Sequence, residues 1–250
     1  MTFDILFKLS VFVVAMVVIG SVLCLPLFKG DVKKLLASPL FVKIIWWLPI
    51  YLVLVAVLYG EFWSALFLTL ALLLLAAREF ARNKGLATPI SRWYLAVFLL
   101  ATAHIVIWFA ALPVETAAYL FAGVAITSVM SDVTAFFLGN YAGRTKLPSW
   151  LNNRKSWEGV LGQLIGAGFG GIVAISVGID MPLGLIAVVG VASAVGDLIN
   201  SAAKRSLRIK DWGNTIPGHG GVLDRLSSLS LAVVASFWFI VLTTLAFKVY

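Results

Sequence analysis

Charge is scarce in this sequence. Only 12% of its 250 residues are Asp, Glu, Lys or Arg, while 62% are apolar, and the mean hydropathy is +1.04. Soluble domains carry about 25% charged residues, so a globule of this size could not be covered with polar surface. The shortage excludes a soluble enzyme, a disordered tail and a collagen-like fibre. The single cysteine, Cys24, excludes an intramolecular disulfide and a cysteine-rich metal site. Lying in an apolar run, it reads as a small packed or lipid-facing residue. Internal repeats of the kind found in many transporters are missing, as are low-complexity segments and any soluble appendage.

What the chain has is apolar length. A helix needs about 20 apolar residues to cross the hydrocarbon core. Candidate spans fall near 9–28, 44–60, 62–77, 93–112, 117–138, 160–178, 183–200 and 229–247. The expectation is an all-α polytopic membrane protein of about eight transmembrane helices. The second and third spans are separated only by Gly60 and Glu61, which predicts a tight helical hairpin. Pro26, Pro39 and Pro49 are candidate breaks or kinks. The first span, preceded by Lys8 and no trustworthy cleavage motif, reads as a retained helix rather than a removed signal peptide. Residues 1–115 divide off as about four N-terminal spans. Residues 116–250 form the region that carries the polar loops 139–159 and 201–228.

The net charge of +8 is rationed by position. The connections 29–43, 78–92, 139–159 and 201–228 hold 17 of the 19 Lys and Arg, leaving only Lys8 and Lys248. The alternate connections hold Glu61, Glu115 and Asp180 and no basic residue. Such alternation places every basic connection on one face, the cytoplasmic one by the positive-inside rule. It points to membrane topology and phosphate-bearing ligands rather than to nucleic acid. With nearly all polar material on one side, chemistry at the inner face is favoured over transport. Trp46, Trp47, Trp93, Trp157 and Trp212 fit an interfacial aromatic belt. Glycines 159, 162, 166, 170 and 171 have small-xxx-small spacing, which suits close helix packing and a homodimer interface. His104, in the middle of the fourth span, reads as a hydrogen-bonded packing residue.

Two carboxylates, Asp132 and Asp197, lie near the basic ends of spans, where an intramembrane acid is costly. On a helix Asp197, Ser201 and Lys204 recur at i, i+4 and i+7 and share a face. The segment 201–228 is the richest in chemistry. Gly218, Gly220 and Gly221 surround His219 and let backbone N–H groups approach an anion. Lys204, Arg205, Arg208, Lys210 and Arg225 flank them, and Asp211 and Asp224 are hard oxygen donors suited to Mg2+. The combination fits a phosphate-plus-metal site.

The run Ser201-x2-Lys204-Arg205-x4-Lys210-Asp211-x-Gly213-x2-Ile216-Pro217-Gly218-His219-Gly220-Gly221-x2-Asp224-Arg225 resembles the signature of the phosphatidate cytidylyltransferases, or CDP-diacylglycerol synthases. Gly196-Asp197, Asp132-x2-Ala135-Phe136-Phe137-x-Gly139 and Arg154-Lys155-Ser156-Trp157-Glu158-Gly159 are similar to further blocks of that family. The chain departs from the pattern at Asn153 (for Pro), Arg154 (for Lys), Ser156 (for Thr) and Phe136 (for Tyr). The largest departure is Ser227, where the family motif ends in a second Asp.

The resemblance implies transfer of a cytidylyl group from CTP to phosphatidate, giving CDP-diacylglycerol and pyrophosphate in phospholipid biosynthesis at a bacterial inner membrane. It implies Mg2+ on Asp197 and Asp224, with or without a second cation. Catalytic roles fall on Asp197, Lys204, Arg205, Lys210, Asp211, His219, Asp224 and Arg225. Substrate contacts fall on Lys155, Ser156, Glu158, Ser201, Gly218, Gly220 and Gly221. Membrane lipids are the surrounding partners. A sister enzyme acting on another lipid phosphate, or a non-catalytic lipid- or nucleotide-binding homologue, is the alternative that Ser227 invites.

Overall fold

The computed structural model describes residues 3–83, 87–152, 154–218 and 220–248. Lys84, Asn153 and His219 lie outside the described residues. The elements are α1 (Phe3–Cys24), a 3-10 turn (Leu25–Phe28), α2 (Val32–Leu36), α3 (Pro39–Ile45), α4 (Trp47–Arg82), α5 (Pro89–Ala111), α6 (Val114–Tyr141), α7 (Trp157–Ser176), α8 (Leu183–Ser206), α9 (Val222–Arg225) and α10 (Ser227–Lys248). Among the described residues there is no strand, only isolated bridges at Lys146–Ser156 and Ile216–Gly220. The protein is an all-α integral membrane protein.

Among the described residues seven helical stretches are long and apolar enough to cross a membrane. One of them, Pro39–Arg82, contains both the second and third expected spans. It is interrupted at Glu61, whose φ of 52° and ψ of −130° are not helical. Ser64 Oγ donates to the carbonyls of Glu61 (3.0 Å) and Val57 (3.1 Å). A straight helix would put Ser64 and Val57 about two turns apart, so the chain bends sharply where Gly60 and Glu61 predicted a hairpin. The prolines act as starters rather than internal kinks. Pro26 sits in the 3-10 turn, and Pro39 opens α3 behind the Ser38 cap, which accepts from Phe41 N–H. Pro49 falls in the first turn of α4, where its missing N–H costs little.

The spans bury themselves unequally. α6 and α7 pack most intimately, followed by α8 against α10 and α7 against α8. Glycine makes the first of these contacts close. A Cβ on Gly170 would stand 2.6 Å from Thr127 Cα, and one on Gly166 would stand 2.7 Å from Thr134 Cβ. The glycine stripe is therefore used inside the chain: Gly162, Gly166 and Gly170 face α6, and Gly171 faces Ile186 of α8. The largest core cluster draws residues from both halves of the sequence, from Ile5 and Leu9 through Trp108 and Phe121 to Phe237.

Two aromatic expectations resolve differently. Trp93 and Trp157 are exposed, as belt residues should be, but Trp212 is buried. Its ring stacks on Tyr94 and Phe80, and its Nε1 donates to Asn200 Oδ1 at 2.8 Å. Trp212 is thus a core residue of the 201–228 loop and not an interfacial anchor. His104 bonds through Nδ1 to the Leu100 carbonyl at 2.9 Å and packs edge-on against Phe237, an ordinary packing role.

Candidate active site

The 201–228 segment is a loop with its own small core. α8 ends at Ser206, where Arg205 folds back so that Nη1 donates to the Ile209 carbonyl at 3.1 Å. The loop closes on itself where Ile216 N–H donates to Gly220 O at 2.8 Å. That turn needs positive φ at Gly218 (71°) and Gly220 (87°), which glycine adopts without steric cost. The chain then enters α9. Here Glu79, from the last turns of α4 and only 1% exposed, accepts from Val222 N–H (2.8 Å), Leu223 N–H (3.1 Å) and Thr215 Oγ1 (2.5 Å). A carboxylate on the free N–H groups of a helix start is the favourable arrangement. Tyr94 Oη donates to Leu223 O at 2.6 Å, and Asn83 Nδ2 donates to Trp212 O at 3.1 Å. The loop is thus bolted to α4 and α5 as well as to its own helices.

Within this frame the structure gathers two charged clusters. In the first, Lys204 Nζ meets Asp224 Oδ1 at 2.6 Å, and Asp224 Oδ2 accepts from Trp212 N–H (2.8 Å) and Gly221 N–H (2.9 Å). In the second, Lys155, from the loop before α7, pairs with Asp197 of α8. Gln163 Nε2 of α7 donates to Asp197 Oδ2 at 3.2 Å and also reaches Asp132 Oδ1 of α6 at 3.4 Å. Ser228 Oγ at the start of α10 donates to the same Asp132 oxygen at 3.0 Å. Four helices thereby converge on one carboxylate pair, Asp132 and Asp197.

The remaining sequence candidates are distributed around these clusters. Asp197, Ser201 and Lys204 do share a face of α8, with Ser201 buried between the two ion pairs. Ser156 caps α7, its buried Oγ accepting from Gly159 N–H at 3.2 Å. Glu158 is turned to its own loop, receiving Thr145 N–H on both oxygens at 3.0 and 3.2 Å. Lys210, Asp211 and Arg225 are exposed. Gly221 packs its bare Cα against the Glu79 carboxylate. His219 lies outside the described residues. Ser227 is buried and accepts from Asn200 Nδ2 at 3.2 Å.

Among the described residues no group of three His, Cys, Asp or Glu gathers as a cation site. Magnesium does not require one, since it is commonly held by one or two carboxylates with water and phosphate oxygens completing its octahedron. Asp132 and Asp197, joined through one amide, fit that donor chemistry. Asp224 in this conformation already gives both oxygens to Lys204 and two backbone N–H groups. Gln163, Glu79 and Ser228 were not singled out in the sequence. A buried glutamine in the apolar run 160–178, and an acid at the end of a 36-residue apolar helix, were the available signals.

A cavity of about 330 Å3 opens between α1, α3, α4 and α6. Its walls are apolar (Phe12, Met16, Leu54 and Val129 among them), and its charged lining residues are Asp132, Lys43 and Arg225. One carboxylate of the Asp132–Asp197 pair is therefore also part of this apolar chamber.

The model of the cytidylyltransferase family matches residues 1–244. Proteins named phosphatidate cytidylyltransferase are similar over the half of the chain they match. That of Brucella abortus is 36% identical over 129 residues, covering 50% of this chain and 46% of the relative. That of Mycobacterium bovis is 36% identical over 124 residues, covering 48% and 40%. That of Haemophilus influenzae is 40% identical over 123 residues, covering 45% and 43%. Each match spans less than half the relative's length. The family match, by contrast, runs from the first helix into the last, through both charged clusters and the loop that joins them: this chain belongs to the cytidylyltransferase family.

Proposed function

We propose that the protein transfers the cytidylyl group of CTP to phosphatidate, forming CDP-diacylglycerol and releasing pyrophosphate. The observation that carries this reading is the Asp132–Gln163–Asp197 cluster with Lys155, set beside an apolar chamber. A water-soluble nucleotide can meet the charged loops while the acyl chains of a lipid remain in apolar surroundings. In the reaction a phosphate oxygen of phosphatidate attacks the α-phosphorus of CTP, and the bond from that phosphorus to the β-phosphate bridge oxygen breaks. A phosphomonoester has a second pKa near 6, so it is largely dianionic at neutral pH and needs no general base. The obstacle is bringing two polyanions together, and positioning with charge neutralisation overcomes it.

Asp132 and Asp197 would hold Mg2+, which supplies charge neutralisation to the nucleotide phosphates. Lys155, now on Asp197, is placed to follow a phosphate when one arrives. Lys204 is held by Asp224, so that pair keeps the loop in register and a cation near its phosphate contacts. Lys210, exposed at the loop surface, meets phosphate from the solvent side, while Arg225 stands both at the loop surface and at the chamber wall. The bacterial relatives and the gathering of basic connections on one face support a bacterial inner membrane, with these loops toward the cytoplasm. On this reading Ser227 does not leave the site one acid short, because Asp132 would serve as the second acid.

The test is pyrophosphate release by the purified protein in mixed micelles with CTP, phosphatidate and Mg2+. The native chain turns over, and Asp197→Asn loses at least about 100-fold, as expected for removing one charge from a preorganised electrostatic site. Absence of turnover in the native chain, or a fully active Asp197→Asn, overturns the reading.

A further inference from the structure

The chamber between α1, α3, α4 and α6 has a charged residue that the signature does not contain. Lys43 belongs to α3, in the N-terminal half, and is half-buried at the chamber wall. Two other half-buried lysines in the charged region are neutralised, Lys155 by Asp197 and Lys204 by Asp224. Among the described residues no carboxylate forms an ion pair with Lys43. The charged groups whose fields reach it are mainly the cations Arg225 and Lys210, with Asp211 opposing them. A partly buried cation facing further cations is costly unless an anion joins it.

Lys43 is also tied to the signature loop. Gly218 lies on it so closely that a Cβ there would stand 3.3 Å from Lys43 Cγ and from its backbone N. The loop therefore holds α3 against its glycines, and the lysine stem lies between loop and chamber. The rest of the chamber wall is apolar, apart from Asp132 and Arg225. An anion bound by Lys43 and Arg225 would share the chamber with Asp132 of the carboxylate pair and with a lining that is otherwise largely apolar.

Resting on the reading above, we propose that Lys43 is the residue that recognises the lipid substrate, binding with Arg225 the phosphomonoester of a lipid whose acyl chain enters the chamber. Lys43 thereby separates a lipid phosphate from a neutral acylglycerol, which fits the same walls but brings no anion. It also separates it from a small phosphate ester, which brings the anion but leaves the walls empty.

The decisive experiment reads binding apart from turnover. Thermal unfolding of the full chain in detergent is followed with dioctanoyl phosphatidate, with dioctanoylglycerol and with glycerol 3-phosphate, all without CTP. Dioctanoyl phosphatidate alone raises the midpoint of the native protein. Lys43→Met abolishes that shift, and Lys43→Arg keeps most of it. In steady state Lys43→Met raises KM for phosphatidate about tenfold or more, as the loss of a charge-assisted contact predicts, with KM for CTP unchanged. Lys43→Gln gives the same reading if the methionine variant does not purify.

Equal stabilisation by glycerol 3-phosphate overturns the acyl-chain part. A lipid-induced shift or a phosphatidate KM that Lys43→Met leaves unchanged overturns the lysine's role, whatever the turnover. If the lipid-induced shift depends on Lys43 but no pyrophosphate appears in the native protein, the subsite stands and the proposed reaction falls.

Discussion

The best apolar windows of α1 and of Pro39–Arg82 are only 6% and 11% buried, whereas those of α6 and α8 are half buried. The less buried windows are also the more apolar ones, so the difference in burial follows what each helix meets rather than any shortage of apolar side chains. α1 shows side chains such as Val11, Val14, Val18 and Val22 to its surroundings, and lipid is as good a solvent for them as another helix. α6 and α8 are held instead by small residues and hydroxyls. Ser193 Oγ of α8 donates to Ser128 Oγ of α6 at 2.9 Å in the buried interior. The C-terminal bundle is a closely packed frame in which α6, α7, α8 and α10 together hold Asp132 and Asp197. The N-terminal helices lean on that frame and leave a chamber between. Close packing lies around the charged residues, and looser packing lies around the apolar chamber.

Glu79 makes the most hydrogen bonds of the links that join the two regions, and breaking it has the largest expected effect. It sits on the loosely packed α4, yet it receives two backbone N–H groups and one hydroxyl from the signature loop. Glu79→Ala leaves those donors buried without an acceptor, each costing about 1–3 kcal/mol. The expected loss is roughly 3–5 kcal/mol, read as a lowered midpoint of thermal unfolding in detergent. Protease should cut first within 207–221, because that segment loses its hold on α4. A midpoint within a degree or two of native would mean that the Glu79 carboxylate does not hold the loop, leaving Tyr94 and Asn83 to do so.

The comparison sharpens when one substitution is made in both regions. Gly170 faces α6 with no room for a Cβ, whereas Gly20 in α1 has nothing within 4 Å of where its Cβ would be. Gly170→Leu forces α7 away from α6 and costs about 1–3 kcal/mol or more by overpacking. Gly20→Leu costs essentially nothing and gains helix propensity of up to about 1 kcal/mol. Unfolding midpoints of the two variants, measured side by side, check the contrast. Similar losses in both would show that α1 is as tightly packed as α7.

Much of this was legible in the sequence for simple reasons. Apolar length and the placement of Lys and Arg report membrane helices directly, because the bilayer imposes both. The break at Gly60 and Glu61 was visible because two expected spans left no room for a loop. The pairing of Lys155 with Asp197 was not, since 42 residues separate them and only the tertiary fold brings α7 beside α8. Gln163 and Glu79 were hidden for a related reason. A single polar residue in an apolar helix announces a buried partner without naming it. The glycine stripe was read correctly as close packing, but periodicity alone cannot say whether the neighbour is the same chain or a second copy.

The smallest expected effect on turnover is at Ser227, and its size is what makes it informative. Position 227 precedes Ser228 at the start of α10, and adjacent helical residues point about 100° apart. Ser228 therefore turns to Asp132, while Ser227 turns to Asn200, whose other amide atom receives Trp212 Nε1. Ser227 belongs to a neutral lock between α8, α10 and the loop, not to the carboxylate pair. Ser227→Ala removes one neutral hydrogen bond, about 1 kcal/mol of stability, and leaves turnover within about twofold. Ser227→Asp sets a carboxylate in a buried site against Asn200, and it should lower the unfolding midpoint without raising turnover. A tenfold gain in pyrophosphate release with Ser227→Asp would mean that the aspartate reaches the cation after all. The division between a rigid lock and the acids beside it would then have to be redrawn.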